Sequence, residues 1–216
     1  NLPARELKDS LTTLTFSYFN HAGKEIPGMV AYTIDDKKYA AKANETLDIK
    51  KQIAFLPSGR HHLQAVCGND TIRQDFVVFS LQDKKAVVET HDWFYQTANT
   101  FPRDGSPVHI QLGSSAPVQH VAYTLVSGKR LLESGSIDLR GELYHRAFSY
   151  KPEYGNGLVI NYVWVKEGVA YCHPVQIAKP LPDKRLLMRW TTFRNKLVPG
   201  QQEEWILHIS RPGDKV

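Results

Sequence analysis

The clearest strand pattern in the chain is LVINYVWVKEGVAYC, residues Leu158–Cys172. Its first part, Leu158–Val165, is apolar except for Asn161, and such a run is typical of a central strand that is buried on both faces. Glu167 and Gly168 then form a turn into a second apolar run. The segment therefore predicts a hairpin in the middle of a β-sheet.

The same period of two extends through most of the chain. Alternating or apolar runs predict strands at 14–19, Met29–Ile34, His61–Cys67, Phe76–Leu81, Val108–Leu112, Val121–Val126 and Arg130–Ser134. Turn residues separate these runs at intervals of roughly ten, which is the spacing of a β-sandwich. No 15-residue window has apolar residues at the helical period with matching caps. We therefore predict an all-β fold built from β-sandwiches in tandem.

Two boundaries divide the chain. Lys84–Thr90 is polar and separates two sandwich-like halves, and Pro180 and Pro182 favour an extended linker after the second half. We predict domains at 1–82 and 83–180, followed by strands at 185–191 and 205–210. Because two strands cannot bury a core of their own, we interpret 181–216 as the truncated first strands of a third domain. The chain also begins at Asn1 rather than Met, which suggests a processed or excised piece of a longer protein.

Composition narrows the class of protein. The 216 residues are 42% hydrophobic and 23% charged, and 27 Lys and Arg against 22 Asp and Glu give a net charge of +5. No basic run is long enough for a nucleic-acid footprint, so we expect no nucleic-acid partner. No apolar stretch approaches the roughly 18 residues of a spanning helix, so we expect no membrane insertion by this segment. Cys67 and Cys172 are either two free thiols or an interdomain disulfide. Cysteine usage therefore does not decide between a reducing and an oxidising compartment.

Catalytic patterns are not found. His61 and His62 are neighbours on a strand and point to opposite faces, and the other histidines lack metal-ligand spacing. For the same reason Cys172 and His173 do not form a nucleophile–base dyad. The sequence also has no GxSxG elbow and no Gly-rich phosphate loop. We predict a protein that is not an enzyme and has no catalytic residue, metal site or cofactor.

Aromatic residues are the remaining candidates for function. The candidates are Trp93, Phe94, Tyr95, Trp164, Trp190 and Trp205. Either these rings fill sandwich cores and the seam between domains, or an exposed row of them binds carbohydrate or peptide. Because the first three lie at the predicted domain boundary, one or two of them are expected to wedge between the domains and stiffen the junction.

Three segments resemble a known family. They are LPSGRHHLQAVCGNDTIRQDFVVFSLQDKKAVVETHDWFY (Leu56–Tyr95), TFPRDGSPVHIQLGSS (Thr100–Ser115) and LPDKRLLMRWTTFRNKLVPGQQEEWILHISRPGDK (Leu181–Lys215). The first two are similar to a junction of macroglobulin-like domains in large bacterial alpha-2-macroglobulin homologues. The third, with Phe193, Pro199 and Trp205, resembles the start of the next domain in those proteins, particularly in the versions from Bacteroidetes.

The resemblance implies macroglobulin-like sandwiches of fibronectin type III-like shape in an exported protein, periplasmic or at the cell surface. Family members trap proteases through a bait region and a CxEQ thioester, and neither Cys67 nor Cys172 lies in such a motif. The implied role is a structural segment of a protease-inhibitor scaffold, with neighbouring domains of its parent chain, and a protease captured by the whole protein, as partners. The alternative is an extracellular binding module that recognises glycan or protein through exposed aromatics or a strand edge.

Overall fold

The computed structural model describes residues 2–8, 10, 12–182, 186–192, 200 and 205–210. The described residues form two β-sandwiches in tandem and a separate two-stranded sheet, which confirms the all-β prediction. Two hydrophobic cores are present, one among residues 2–78 and the other among residues 101–177. Within the described residues, no helix has the length and hydrophobicity needed to cross a membrane.

Sandwich one contains seven strands and one short helix. They are β1 (Arg5–Leu7), β2 (Thr13–Thr15), β3 (Met29–Ile34), β4 (Lys37–Lys42), β5 (Thr46–Asp48), α1 (Lys50–Ala54), β6 (Gly59–Cys67) and β7 (Asp70–Phe79). One sheet has the order β1-β7-β6-β3-β4, and β2 pairs with β5 in the other. The side chains of Val30, Tyr32 and Ile34 on β3 point into the core, as the alternation predicts.

Two parts of sandwich one differ from the prediction. The strand expected at 14–19 ends at Thr15, and the backbone N–H of Tyr18 donates to Asn44 Oδ1 at 2.9 Å instead of a strand partner. Strand β4 was not predicted, because Lys37–Lys42 is polar and lacks a strand-like apolar pattern. It forms because Asp35, with a φ of 50°, turns the chain back along β3.

Sandwich two contains seven strands and a single 3₁₀ turn at Pro152–Tyr154. The strands are β8 (Trp93–Gln96), β9 (Val108–Gly113), β10 (Gln119–Ser127), β11 (Arg130–Leu139), β12 (Tyr144–Phe148), β13 (Gly157–Lys166) and β14 (Val169–Ala178). They form a four-stranded sheet, β11-β10-β13-β14, and a three-stranded sheet, β12-β9-β8. The predicted hairpins β10–β11 and β13–β14 are both present.

The prediction that Leu158–Val165 is buried on both faces is wrong. Strand β13 is central in its sheet, and Ile160, Tyr162 and Trp164 point into the core. Val163 and Val165 on its other face are 37% and 62% exposed, respectively. Only one sheet packs against β13 among the described residues, so its second face is exposed to solvent in spite of its apolar composition.

A two-stranded antiparallel sheet follows sandwich two. It consists of β15 (Leu187–Thr192) and β16 (Ile206–Ser210), near the strands predicted from the sequence. The predicted first residue, Arg185, and the predicted turn residues Pro199 and Gln201 lie outside the described residues. The linker before β15 is attached to sandwich two, because the Arg103 guanidinium donates to the carbonyls of Leu181 and Pro182, each at 2.7 Å.

Candidate functional site at the junction of the two sandwiches

The junction contains a fully buried aromatic contact. Phe79 is the last residue of β7 in sandwich one, and Trp93 and Tyr95 lie on β8 in sandwich two. The Phe79 ring meets Trp93 with centroids 5.2 Å apart at 88° and Tyr95 with centroids 4.7 Å apart at 73°. Both are edge-to-face arrangements, which aromatic pairs favour. Phe79 and Trp93 are 0% exposed, so water is excluded from this part of the seam.

A buried amide joins the two sides of the junction. Gln111 on β9 is fully buried, and its Oε1 accepts a hydrogen bond from Trp93 Nε1 at 3.0 Å. Its Nε2 donates to the carbonyls of Ser80 at 3.1 Å and Asp83 at 3.4 Å, immediately after β7. A buried polar group must be hydrogen-bonded to avoid a large desolvation cost, and this amide meets that need only when both sandwiches are in place.

The connector leaves sandwich one as an anchored turn. The Asp83 carboxylate accepts the backbone N–H of Ser80 at 2.6 Å and the hydroxyl of Ser58 at 2.9 Å. One residue later, the Lys84 carbonyl accepts the backbone N–H of Leu143 in sandwich two at 2.8 Å. The connector therefore bonds to both sandwiches within two consecutive residues.

The end of the connector is bonded to sandwich two. The Thr90 carbonyl accepts the backbone N–H of Ser115 at 2.8 Å, and the His91 carbonyl accepts the indole N–H of Trp164 at 3.0 Å. Asp92 Oδ1 lies 2.6 Å from His173 Nε2 on β14. Three consecutive connector residues thus have partners in the body of sandwich two.

Strand β1 completes the junction with two charged residues. The Arg5 guanidinium lies 4.9 Å from the centre of the Trp93 ring, a cation–π distance. Glu6 is only 5% exposed, and its Oε2 accepts the Thr12 hydroxyl at 3.0 Å. Burial raises the pKa of Glu6. Burial also raises the pKa of Tyr95, with a smaller contribution from the negative charge of Glu6.

The six predicted aromatic residues fall into two separate groups. Trp93 and Trp164 are buried, whereas Phe94 and Tyr95 are half-buried. Phe94 stacks on the His173 ring, with centroids 4.2 Å apart, and Trp164 lies on that ring at 4.9 Å. Trp190 and Trp205 are 51% and 50% exposed on the two-stranded sheet, with their rings 6.1 Å apart at 84°. The structure therefore does not bring all six into one row.

Sequence reasoning did not identify Phe79 or Gln111 as junction residues. Phe79 ends an apolar run and resembles any other core residue. Gln111 lies between Ile110 and Leu112, which point into the core, so the alternation predicts a solvent-facing side chain. Only its burial by sandwich one reveals its role, and the sequence carries no signal for that packing.

Apart from His91 and His173, the histidines and cysteines make none of the junction contacts described above. His61 Nδ1 lies 2.7 Å from Asp35 Oδ2, and His62 Nδ1 lies 2.7 Å from Asp75 Oδ1, so the two neighbours do face opposite sides. Among the described residues, no group of three or more His, Cys, Asp or Glu side chains could hold one metal ion. Cys67 is half-buried, Cys172 is exposed, and both are free thiols.

No protein family matches the sequence, and no curated protein matches it. Among solved structures, the chain is similar to invasin, a bacterial integrin-binding protein, at 16% identity and a TM-score of 0.27, covering 88% of this chain and 40% of that chain. It is also similar to extracellular domains 3–5 of Drosophila OTK, at 11% identity and a TM-score of 0.30, covering 97% of this chain and 73% of that chain. A third similar structure is that of the FN1–FN3 domains of chicken CNTN1, at 10% identity and a TM-score of 0.25, covering 82% of this chain and 64% of that chain. All three TM-scores are below 0.5, and the fold assignment rests on the sheets and cores described above.

Proposed function

We propose that the chain is a non-enzymatic structural segment whose two sandwiches act as one rigid unit and hold flanking domains at a fixed angle. The observation that supports this most directly is the buried junction in which Phe79 packs on Trp93 and the Gln111 amide bonds to both sides. Domains joined by a free linker move relative to one another by default, and a buried seam with satisfied hydrogen bonds opposes that motion.

The bonding of the connector supports the same proposal. A hinge needs a few residues that can change φ and ψ without breaking contacts. Here Asp83 and Lys84 bond to both sandwiches, and Thr90, His91 and Asp92 have partners in sandwich two. Bending at either end of the connector would break several of these hydrogen bonds together.

We further propose a setting for this rigid unit, a large exported protein of the alpha-2-macroglobulin type in the periplasm or at the cell surface. The support is the resemblance of Leu56–Tyr95, Thr100–Ser115 and Leu181–Lys215 to macroglobulin-like domains of that family. In this setting the neighbouring domains of the parent chain are the direct partners, and a protease captured by the whole protein is an indirect one.

The rigidity is tested by a distance measurement across the junction. In a Cys67→Ser, Cys172→Ser background, Lys129→Cys on sandwich two and Thr71→Cys on sandwich one carry one spin label each, and the labelled protein is diluted into unlabelled protein. Double electron–electron resonance should give one narrow distance distribution. Phe79→Ala should broaden it, because the edge-to-face contacts are lost. The matched control is Phe55→Ala, since that ring is 80% exposed and its removal leaves the junction intact.

A broad distance distribution in the labelled chain without a junction substitution would contradict the proposal. If Phe79→Ala lowers the stability of sandwich one, Gln111→Leu in the same labelled background gives a second test from sandwich two. An unchanged narrow distribution in both variants would show that the junction contacts do not set the angle.

The exported, protease-trapping setting needs the whole parent protein. It would be exposed to a panel of proteases, with cleavage mapped by mass spectrometry and particle size followed by scattering. One limited cleavage site, compaction and retained activity on small but not large substrates would support a trap. Scattered cleavage without capture would remove the inhibitor setting and leave the rigid-unit proposal unaffected.

One observation favours a second candidate function, a binding module. Trp190 lies half-exposed on the same face of the two-stranded sheet as Met188 and its register partner Ile209, which are 68% and 54% exposed, and the half-exposed Trp205 directly precedes β16. An apolar surface of this kind marks sites of protein or glycan contact. Titration with glycan and peptide libraries, read by tryptophan fluorescence, should show saturable binding that Trp190→Ala weakens. Binding unchanged by this variant would remove the candidate.

A further inference from the structure

The outward face of the four-stranded sheet in sandwich two is nearly free of charge. We call it the neutral face, and it consists of every second residue of Ser134–Asp138 in β11, His120–Val126 in β10, Val159–Val165 in β13 and Ala170–Gln176 in β14. At the chain average of 23% charged residues, these fifteen positions would include about three Asp, Glu, Lys or Arg. They include one, Asp138.

The single carboxylate, that of Asp138, lies at a corner of the neutral face and is paired with His120. His120 and Asp138 are opposite one another in the β10–β11 register, and His120 Nδ1 lies 2.5 Å from Asp138 Oδ1. The centre of the face is a row of Ser136, Ala122 and Val163, continued by Cys172 in the edge strand. Small, uncharged side chains thus lie in register on all four strands.

Sandwich one provides an internal comparison. Its five-stranded sheet also presents one face to solvent, and the outward positions by alternation and register include Lys38, Lys42, Arg60, Arg73 and Asp75. Two solvent-facing sheets of one chain thus differ sharply in charge. Exposure to water alone would favour charged residues on both, so a further requirement acts on the sheet of sandwich two.

We propose that the neutral face is a contact surface for a second copy of this chain. A two-fold dimer interface must be complementary to itself, because the same patch is used by both copies. The protein has a net charge of +5, and a basic face such as that of sandwich one repels its own copy. The neutral face can meet its copy without like-charge repulsion and without burying an unpaired charge.

The size of the face fits a weak dimer. Four strands about 4.8 Å apart and four rows about 6.8 Å apart cover roughly 500 Å² per copy, or about 1,000 Å² in total. This is close to the lower limit of specific interfaces, below the roughly 1,600 Å² of a standard one. The small side chains let two sheets approach to the usual separation of about 10 Å. We therefore expect a dimer that forms reversibly as concentration rises.

Sedimentation velocity of the full chain in reducing buffer tests this expectation. The weight-average sedimentation coefficient should rise from the monomer toward the dimer value between about 5 µM and about 500 µM protein. Ala122→Lys places a charge at the centre of the face and should abolish the rise. The matched control is Ala31→Lys, an identical change at an exposed alanine on a central strand of sandwich one, which should leave the rise intact.

Opposite charges provide a stronger test. Ala122→Lys and Ala122→Glu should each remain monomeric alone and associate when mixed, because the two-fold places the face of one copy against the other. In the unsubstituted chain, the alkylation rate of Cys172 should also fall as protein concentration rises, whereas the rate for Cys67 on sandwich one should not.

Three outcomes would overturn the proposal. The first is that the unsubstituted chain stays monomeric across the whole concentration range. The second is equal weakening by Ala31→Lys and Ala122→Lys, which would indicate nonspecific association. The third is association abolished by Met188→Lys but retained in Ala122→Lys, which would place the contact on the exposed two-stranded sheet.

Discussion

Replacing Gln111 by leucine should destabilise the protein through the junction, although leucine has nearly the same volume as glutamine. The buried Gln111 amide accepts from Trp93 Nε1 and donates to the Ser80 and Asp83 carbonyls. Leucine fills the space but replaces none of these bonds. The indole N–H of Trp93, a fully buried residue, is then left without an acceptor.

The size of the effect follows from these three bonds. A buried donor without a partner costs about 1–3 kcal/mol, and a lost hydrogen bond costs about 0.5–1.5 kcal/mol net. The two carbonyls share one Nε2 and are partly accessible to water, so they contribute near the lower value. Burying the leucine side chain in place of an amide offsets about 1 kcal/mol. We expect the free energy of unfolding of sandwich two to fall by about 1–3 kcal/mol.

The chain contains its own matched control in Gln119. This residue is 3% exposed at the start of β10, and within the described part of the chain neither its Oε1 nor its Nε2 has a hydrogen-bond partner. Gln119→Leu should therefore leave stability unchanged or raise it by up to about 1 kcal/mol. Urea unfolding followed by circular dichroism measures the free energy of unfolding of both variants from the same transition, that of sandwich two. Equal losses in the two variants would refute the reasoning, because hydrogen bonding would then not distinguish them.

Three further effects are expected. Gly157→Ala should lower the free energy of unfolding by about 2–4 kcal/mol in urea, because φ is +136° and an added Cβ would lie 2.2 Å from the Ile177 carbonyl oxygen. The Arg146 guanidinium holds the pKa of Glu133 below its usual 4.5. This carboxylate therefore stabilises the fold above pH 4.5, and the stabilisation is lost as pH falls through the folded-state pKa. In acid unfolding, Glu133→Gln should reduce that loss of stability. Burial raises the pKa of Glu6, which gives the opposite sign: stability falls as pH rises above 4.5, so Glu6→Gln should gain stability at about pH 7 and not at about pH 3.

The strands that the sequence predicted well are those in which one face is buried. Met29–Ile34 matches β3 to the residue, because alternation along the strand is set by a single core. The β10–β11 and β13–β14 hairpins were predicted from short turns containing Gly128 and Gly168, whose φ values of 58° and 78° favour glycine. Local chemistry decides these features, so one sequence is enough to find them.

The junction could be predicted only in part. Its position near Trp93 follows from the change of composition along the chain, and in the structure Phe79 packs there against Trp93 and Tyr95. The bonding of Gln111 to Ser80 could not be predicted, because the two residues are thirty-one positions apart and lie in different sandwiches. Contacts of this kind depend on the orientation of two folded units, which no local pattern encodes.

The four tryptophans show why residue type does not decide exposure in an all-β chain. Trp93 and Trp164 are buried, and each indole N–H donates, to Gln111 Oε1 and the His91 carbonyl, respectively. Trp190 and Trp205 are half-exposed, although apolar residues such as Met188 and Ile206 lie on the same two-stranded sheet. The difference is the second layer: the first pair lies in sheets that another sheet or sandwich covers, and the two-stranded sheet has no such cover among the described residues. An aromatic ring on a strand can therefore be assigned to a rigid seam or to a binding surface only after the opposing layer is known.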